Sequence, residues 1–466
     1  MGDTLLKIYH SLPAPLRTIS ASMRGLYIAY WRYGKDTERL VEEALERDNW
    51  TSSRWKGWQE ERLAAVLRRA ATKVPYYREQ WSDRRRKGDR RSYEYIENWP
   101  VLKKQTLREN PGAFVADDCD KRHMFLDHTS GTTGTPLKYW SSRHTLHAYY
   151  ALCDARLRRW NGLSRKNRWS TLGGQQVVPP NRTRPPFWVF NVAMNQLYLS
   201  ANHISQSNIG YYVEALNRYN ITHMIAYSSS ATVMAQEAIQ AGLTKTPLEV
   251  VLTNAEPVYP WQRKLIGRGL GAKVRATYGM AETVAAATEC EVGTLHFWPE
   301  VGWLEVFKDS EDSPIEEASC DGRYVCTSLL NLDMPLVRYE VGDRGRNLDR
   351  SHECSCGRKL PRIEAIEGRT NDLLYAPDGR RVYWLNPVFY GLPIVEAQII
   401  QELRDHLHVL YVPAPGFGVA DKIVIQQRLI ARMGDVQVTL EEVLKVPRAA
   451  NGKFQAIVSR LDKEKF

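Results

Sequence analysis

The chain has 466 residues, with 64 Lys and Arg against 53 Asp and Glu and a formal net charge of +11. That length exceeds one ordinary domain and suggests two or three, while 43% hydrophobic and 25% charged residues exclude fibrous and disordered classes. No run of about 18 apolar residues occurs, which argues against a membrane-spanning helix, and the positive balance points to an anionic partner. Seven Cys make an odd, sparse set, unsuited to a disulfide scaffold and leaving metal binding as the use to test.

The first residues, Met1-Gly-Asp-Thr-Leu-Leu, carry Leu6 where a myristoylation pattern wants Ser or Thr, and Pro13, Pro15 and Arg17 interrupt any secretory apolar region. A cytoplasmic location is expected. The aromatic stretch Leu26-Tyr-Ile-Ala-Tyr-Trp-Arg-Tyr33 suits packing against a main body better than a membrane interface, although peripheral membrane contact stays open. Residues 1–60 read as a helical, basic extension. From Arg54 to Arg91 there are 13 Lys or Arg against 5 Asp or Glu. A solvated face is the preferred reading there, ahead of a surface for anionic lipid, nucleic acid or polysaccharide.

Leu63, Val66, Leu67 and Ala70 fall at i, i+3, i+4 and i+7 and predict one face of a helix. Between about 140 and 280, helical stretches at 143–160, 208–218 and 229–241 alternate with short apolar runs such as Met224–Ala226 and Val250–Thr253. This alternation predicts an α/β domain with buried parallel strands. Past 290 the texture changes to short strands and turns at Leu295–Trp298, Tyr324–Cys326 and Leu336–Tyr339. The remainder predicts a small α+β domain, with strands near 396–401, 407–412 and 436–440 and a helix near 420–432. The expected organisation is a large body over 61–370, with a parallel sheet and a β-rich part, followed by a C-terminal domain over 371–466.

Thr129-Ser-Gly-Thr-Thr-Gly-Thr-Pro-Leu-Lys138 is the most informative segment. Glycines let backbone N–H groups approach an anion and the hydroxyls add donors, so it reads as a phosphate loop, or by itself as a plain turn. It is not the nucleotide-binding G-x-x-x-x-G-K-[ST] pattern, because Lys138 follows Thr-Pro-Leu. Downstream come Thr253-Asn-Ala-Glu-Pro257, Tyr278-Gly-Met-Ala-Glu282, Arg338-Tyr-Glu-Val-Gly-Asp343, Gly368-Arg-Thr-Asn-Asp372 and Pro447-Arg-Ala-Ala-Asn-Gly-Lys453. In this order the segments resemble the adenylate-forming superfamily of acyl-CoA synthetases, luciferases and peptide-synthetase adenylation domains. Val74-Pro-Tyr-Tyr-Arg78, the form of the loop and Cys354-Ser-Cys-Gly-Arg358 make the chain most similar to the phenylacetate-CoA ligase branch, which includes capsule-biosynthesis adenylating enzymes.

The resemblance implies that a carboxylic acid attacks the α-phosphate of ATP, releasing pyrophosphate, and that the acyl group then passes to CoA or to an amine. A catalytically silent binding scaffold is the reading from another class. Thr129, Ser130, Gly131, Thr132, Thr133, Gly134 and Lys138 would hold the β- and γ-phosphates. Glu282 would hold Mg²⁺, Tyr278 and Gly279 would lie along the adenine, and Asp343 and Arg369 would contact the ribose. Lys453 would act as the catalytic cation on a mobile C-terminal domain. Glu256 is assigned to the ATP site, and Tyr227, Ser228, Asn254 and Ala255 to the acyl pocket, with Trp169, Trp188 and Phe190 either pocket walls or core. No nucleic acid is expected, and dimers are frequent among such relatives.

Two departures from the family pattern stand out. Ala281 replaces a threonine, whose hydroxyl Thr277 or Thr283 would have to supply, and Asn371, next to a retained Asp372, occupies the hinge position. Spacing leaves Cys290, His296, Cys354 and Cys356 divided between core residues and a Cys₃His set, while the resemblance favours a structural Zn²⁺. His352 is the substitute ligand, and Cys119, Cys153, Cys320 and Cys326 read as ordinary thiols.

Overall fold

A computed structural model describes residues 3–128, 137–179, 181–308, 313–315, 321–350, 353–364, 366–369, 374–378, 381–382, 385–389, 392–448 and 454–461. The chain opens with helices α1 (Asp3–Ser11), α2 (Ala14–Arg32), α3 (Thr37–Arg47), α4 (Ser52–Lys73), α5 (Pro75–Arg86) and α6 (Lys104–Glu109). Thr51 caps α4 by accepting from the Arg54 N–H, and Pro75 starts α5 where its missing N–H costs nothing. Leu63, Val66, Leu67 and Ala70 are buried on one face of α4, as their spacing predicts. Strands β1 (Phe125–His128) and β2 (Lys138–Ser141) pair as an antiparallel hairpin and lead into α7 (Arg143–Cys153).

Next come β3 (Trp169–Gly173), β4 (Trp188–Asn191), β5 (Gln196–Ser200), α8 (Ile209–Arg218), β6 (His223–Tyr227), α9 (Ser228–Gln240), β7 (Val250–Asn254), α10 (Pro260–Leu270), β8 (Lys273–Gly279), β9 (Ala286–Glu289) and β10 (Leu295–Phe297). With the later β14 (Arg362–Ile363), and among the described residues, these strands form a sheet in the order β14-β10-β9-β8-β7-β6-β3-β5-β4. Its centre, from β8 to β5, is parallel, and β4 and β9 pair antiparallel at its flanks. Helices α8, α9 and α10 cover it through a core that includes Leu216, Met224, Met234, Val251 and Ile266. The apolar run of β7 is buried over Val250–Thr253, as a doubly covered parallel strand requires.

A second, antiparallel sheet runs β11 (Gly302–Phe307), β12 (Asp321–Ser328), β13 (Tyr339–Arg346) and β15 (Ile366–Arg369), and a large core joins it to α4 and α5. The pair β16 (Leu374–Tyr375) and β17 (Arg381–Val382) leads to β18 (Ile394–Leu403), β19 (His406–Pro413), α11 (Val419–Met433), β20 (Gln437–Glu442) and β21 (Ile457–Ser459). These last strands form a sheet in the order β20-β19-β18-β21 around their own core, which includes Ile399, Leu407, Tyr411, Ile425 and Leu429. The molecule is therefore an α/β structure with a parallel sheet and a separate C-terminal α+β core.

Two local expectations change. The helix expected over 143–160 ends at Cys153 and continues as a π-helical turn, Asp154–Arg158. There Arg156, fully buried, reaches Asp48 at 3.0 Å and Glu300 at 2.8 Å. The run Leu336–Tyr339 becomes strand only at Tyr339, because Arg338 adopts a left-handed φ of 47°. That turn carries its guanidinium inward, 2.7 Å from Glu305 and 3.0 Å from the Trp99 carbonyl.

Candidate functional site

The carboxyl ends of the parallel strands lie side by side: Tyr227 of β6 is in register with Asn254 of β7, and Thr253 with Ala276 of β8. In open parallel sheets this edge is where ligands bind. Ala255 leaves β7 with φ 62°, a conformation disfavoured for a residue with a Cβ, and turns the chain so that Glu256 faces the start of α9. The Glu256 carboxylate accepts from the Ser229 N–H at 2.9 Å and from the Ser228 and Ser229 hydroxyls at 3.2 and 3.1 Å. A helix N-terminus stabilises such a charge. Burial and the neighbouring Glu256 charge raise the Tyr227 phenol pKa.

Glu256 also accepts from the Phe454 N–H at 2.8 Å, which joins the body to the residue after Lys453. On the other side of that segment, Arg448 pairs with Glu396 and lies 4.9 Å over the Phe454 ring. A cleft between α9, α10 and the C-terminal sheet is lined by Ser229, Thr232, Trp261, Glu396 and Phe454. Lys453 lies outside the described residues, as do Thr129, Ser130, Gly131, Thr132, Thr133, Gly134, Asn371, Asp372, His352 and Cys320. The flanks of the phosphate-type loop are described: His128 pairs with Lys138 across the hairpin, and Lys138 is exposed.

Tyr278, near the end of β8, donates its hydroxyl to Asp343 of β13 at 3.0 Å. Burial and the Asp343 charge keep the phenol well above its ordinary pKa, so it remains a donor. Backbone pairing sets Asp343 opposite Arg369. Glu282, buried in the turn after β8, accepts at Oε1 from the Lys104 ammonium and from the Tyr339 hydroxyl, both at 2.9 Å. The Tyr139 phenol is raised chiefly by burial, with smaller contributions from the charges of Asp127 and Glu282. The hydroxyls near Ala281 are already engaged: Thr277 donates to the Thr253 carbonyl and Thr283 to the Ala281 carbonyl, at 2.8 and 3.1 Å.

Lys104 and Tyr339 were not singled out from the sequence. A signal for the lysine existed. Lys103 and Lys104 occupy the cap and first position of α6, where the helix dipole disfavours cations, and each meets a carboxylate there: Lys103 meets Glu340, and Lys104 meets Glu282, both at 2.9 Å. Trp169 and Phe190 are engaged away from the strand ends, Trp169 donating to the Met194 carbonyl and Phe190 stacked 4.6 Å from Tyr219. In the basic stretch, Arg69, Arg78, Arg84 and Arg91 pair with Asp118, Asp117 and Asp89, in keeping with a solvated face.

At the far end of β9, Cys290, His296, Cys354 and Cys356 bring their donor atoms within 4.8 Å of one another. The Cys290 and Cys354 sulfurs are 3.9 Å apart, and the Cys356 sulfur is 3.4 Å from His296 Nε2. Tetrahedral Zn–S bonds of about 2.3 Å would separate two sulfurs by roughly 3.8 Å, so the set fits one ion. His296 Nδ1 lies 3.2 Å from the Leu360 carbonyl, the contact that leaves Nε2 as the ligand atom. Trp55, Trp160 and Leu360 pack around the cluster.

The fold is that of adenylate-forming ligases, and the order of these motifs resembles theirs. Residues 374–460 match the CapK C-terminal domain family. Over 463 residues, 97% of this chain and 99% of the relative, the sequence is 22% identical to protein CapK of Staphylococcus aureus. It is 33% identical to phenylacetate-coenzyme A ligase of Thermus thermophilus over 152 residues, 31% of this chain and 34% of that enzyme. The structure of 2-hydroxyisobutyryl-CoA ligase in its postadenylation state shares the fold, with TM-score 0.67, 20% identity and coverage of 90% of this chain and 92% of that one.

Proposed function

We propose that the chain activates a carboxylic acid with ATP, forming an acyl adenylate and pyrophosphate, and then transfers the acyl group to CoA. The observation that carries this reading is the convergence of Glu282, Tyr278 with Asp343, and Glu256 with Phe454 at the carboxyl edge of the parallel sheet. A carboxylate is too weak an electrophile for direct acyl transfer, so it first attacks the α-phosphate as a nucleophile, a step that brings two anions together and builds negative charge on the departing pyrophosphate. Catalysis then rests on positioning and on cations held where that charge develops. Asp343 would accept from the ribose hydroxyls, and Tyr278, oriented by Asp343, would flank the adenine with Gly279. Lys138 and the 129–134 loop would face the β- and γ-phosphates, with Arg369 beside the ribose. Both described contacts of Glu282 fall on Oε1, so Oε2 offers a carboxylate oxygen for Mg²⁺, whose chemistry is to neutralise phosphate charge.

Lys453 would supply the ammonium between α-phosphate and carboxylate. The Phe454–Glu256 and Arg448–Glu396 contacts that hold its flanks support that role. Tyr227, Ser228, Asn254 and Ala255 would line the acyl end. The domains would divide near 60 and 370. Cys290, His296, Cys354 and Cys356 would hold a structural Zn²⁺, since four protein ligands leave no open position.

ATP–pyrophosphate exchange screened over aryl, fatty, amino and sugar acids tests the first step: one acid should support exchange, and Lys453→Ala should abolish it. Exchange with no acid, together with no thermal stabilisation by ATP and Mg²⁺, would remove the adenylation reading. Mass spectrometry of the product distinguishes acceptors, since a thioester forms with CoA and an amide with an amine. Elemental analysis should find about one zinc per chain, lost in Cys356→Ser.

A further inference from the structure

Among the described residues, helix α2 turns an exposed apolar stripe to the outside. Leu16, Ile19, Met23, Leu26 and Tyr30 recur at alternating spacings of three and four residues, with Tyr27 beside them, and are 47%, 54%, 67%, 65%, 57% and 46% exposed respectively. At 100° per residue these six side chains share one arc of the helix. The opposite face is held by the body: Arg17 and Gly25 are buried, Ser22 accepts from the Val192 N–H at 3.1 Å, and Trp31 packs 5.5 Å from Phe125. The helix is thus fixed on the protein with its apolar side outward, and Val192 and Leu126, adjoining it, are exposed as well.

The charges carried by α2 and its flanking residues are of one sign, with Asp127 of β1 an exposed acid beside Leu126. From Thr4 to Lys35 there is no acidic residue, while Lys7, Arg17, Arg24, Arg32 and Lys35 are basic. Arg24 lies 5.2 Å over Tyr27, and Arg143 of α7 lies 4.0 Å over Tyr30, so guanidinium groups rim the apolar arc. A two-fold dimer through α2 would set these cations against their own copies. The stripe is also small for that purpose: about 22 Å of helix, roughly 10 Å wide, against about 800 Å² per partner in a stable interface. No described helix is long and apolar enough to cross a bilayer. An anionic lipid surface meets both features, accepting the apolar arc at the depth of the acyl chains and the rim arginines at the headgroups.

We propose that α2 docks the protein on the surface of an anionic membrane, lying in the interface with Leu16, Ile19, Met23, Leu26, Tyr27 and Tyr30 inserted. The test is co-sedimentation of the full chain with mixed phosphatidylglycerol–phosphatidylcholine vesicles and with phosphatidylcholine alone. The protein should bind the anionic vesicles and release with added salt. Leu16→Ser/Ile19→Ser/Met23→Ser should weaken binding about tenfold or more, and Arg24→Glu/Lys35→Glu should remove the preference for anionic lipid. These positions are exposed, so circular dichroism and melting should match the parent. If the triple variant misfolds, the charge variant decides. Absence of vesicle binding, unchanged binding by the variants, or a solution dimer that Met23→Asp converts to monomer would each overturn the proposal.

Discussion

Strand β9 separates two regions built from similar residues for opposite ends. Beyond Glu289, the Cys290, His296, Cys354 and Cys356 donors close on one another, and nearby Arg156 is sealed between Asp48 and Glu300 with its side chain 0% exposed. Before Ala286, Glu282 is as buried as those groups, yet its cation, Lys104, is 35% exposed and comes from a distant helix. In the first region charge is buried with charge, and the pairing holds elements together. In the second, a carboxylate is held in place by a partner that solvent, and therefore a ligand, can reach.

The largest effect should come from breaking the sealed side. Arg156→Ala leaves Asp48 buried without its cation and Glu300 with Arg47 alone, and should cost about 3–5 kcal/mol in denaturant unfolding. The folded fraction should keep its exchange activity. Loss of exchange without loss of stability would erase the distinction between the two regions. Glu282→Gln makes the opposite cut. It keeps volume and one oxygen but removes the charge that Lys104 meets, and exchange should fall about 100-fold while the melting temperature moves by only a few degrees.

Lys104→Met sharpens the comparison further. If the ammonium positions Glu282, exchange should drop about tenfold, with a shifted Mg²⁺ requirement that a merely structural lysine would not move. Lys104→Arg should restore part of the loss, because the charge returns in a different geometry.

Elements with a strong period were legible in the sequence. Strands β18, β19 and β20 with helix α11, and the alternation of α8, β6, α9 and β7, follow from apolar spacing because burial enforces that spacing, whereas α10 and β21 were not expected. Where a buried charge redirects the backbone, periodicity misled. The stretch expected as helix over 143–160 is helical throughout, but over Asp154–Arg158 it widens to a π-helical turn whose Arg156 meets Asp48, and the left-handed turn at Arg338, whose guanidinium meets Glu305, delays β13 to Tyr339. The site was legible as motifs, since Glu282, Asp343 and Glu256 sit in ordered segments. Their partners were not, because Lys104, Tyr339 and Ser229 meet them across sequence separations that local patterning does not encode. Only Leu26, Tyr27 and Tyr30 of the exposed stripe of α2 lay in the aromatic run; Leu16, Ile19 and Met23 were not singled out, and which face points outward depends on the packing of Gly25 and Arg17.

The smallest effect is a pH dependence on the structural side. His223, at the start of β6, is fully buried and accepts at Nε2 from Arg158 at 3.1 Å, so its imidazole is neutral. Burial, with Arg158 adding to it, pushes its pKa down to about 3. A histidine depressed in the folded state contributes stability that is present above its unfolded pKa of about 6.5 and lost as pH falls toward the folded value. Between pH 7 and pH 5.5 the unfolded chain gains this proton and the folded chain does not, a loss of about 1 kcal/mol. His223→Gln, which keeps a side-chain oxygen to accept from Arg158 and cannot titrate, should flatten that part of the stability profile even if it lowers stability throughout. An unchanged slope would assign the acid sensitivity to other groups and leave the Arg158–His223 contact as packing alone.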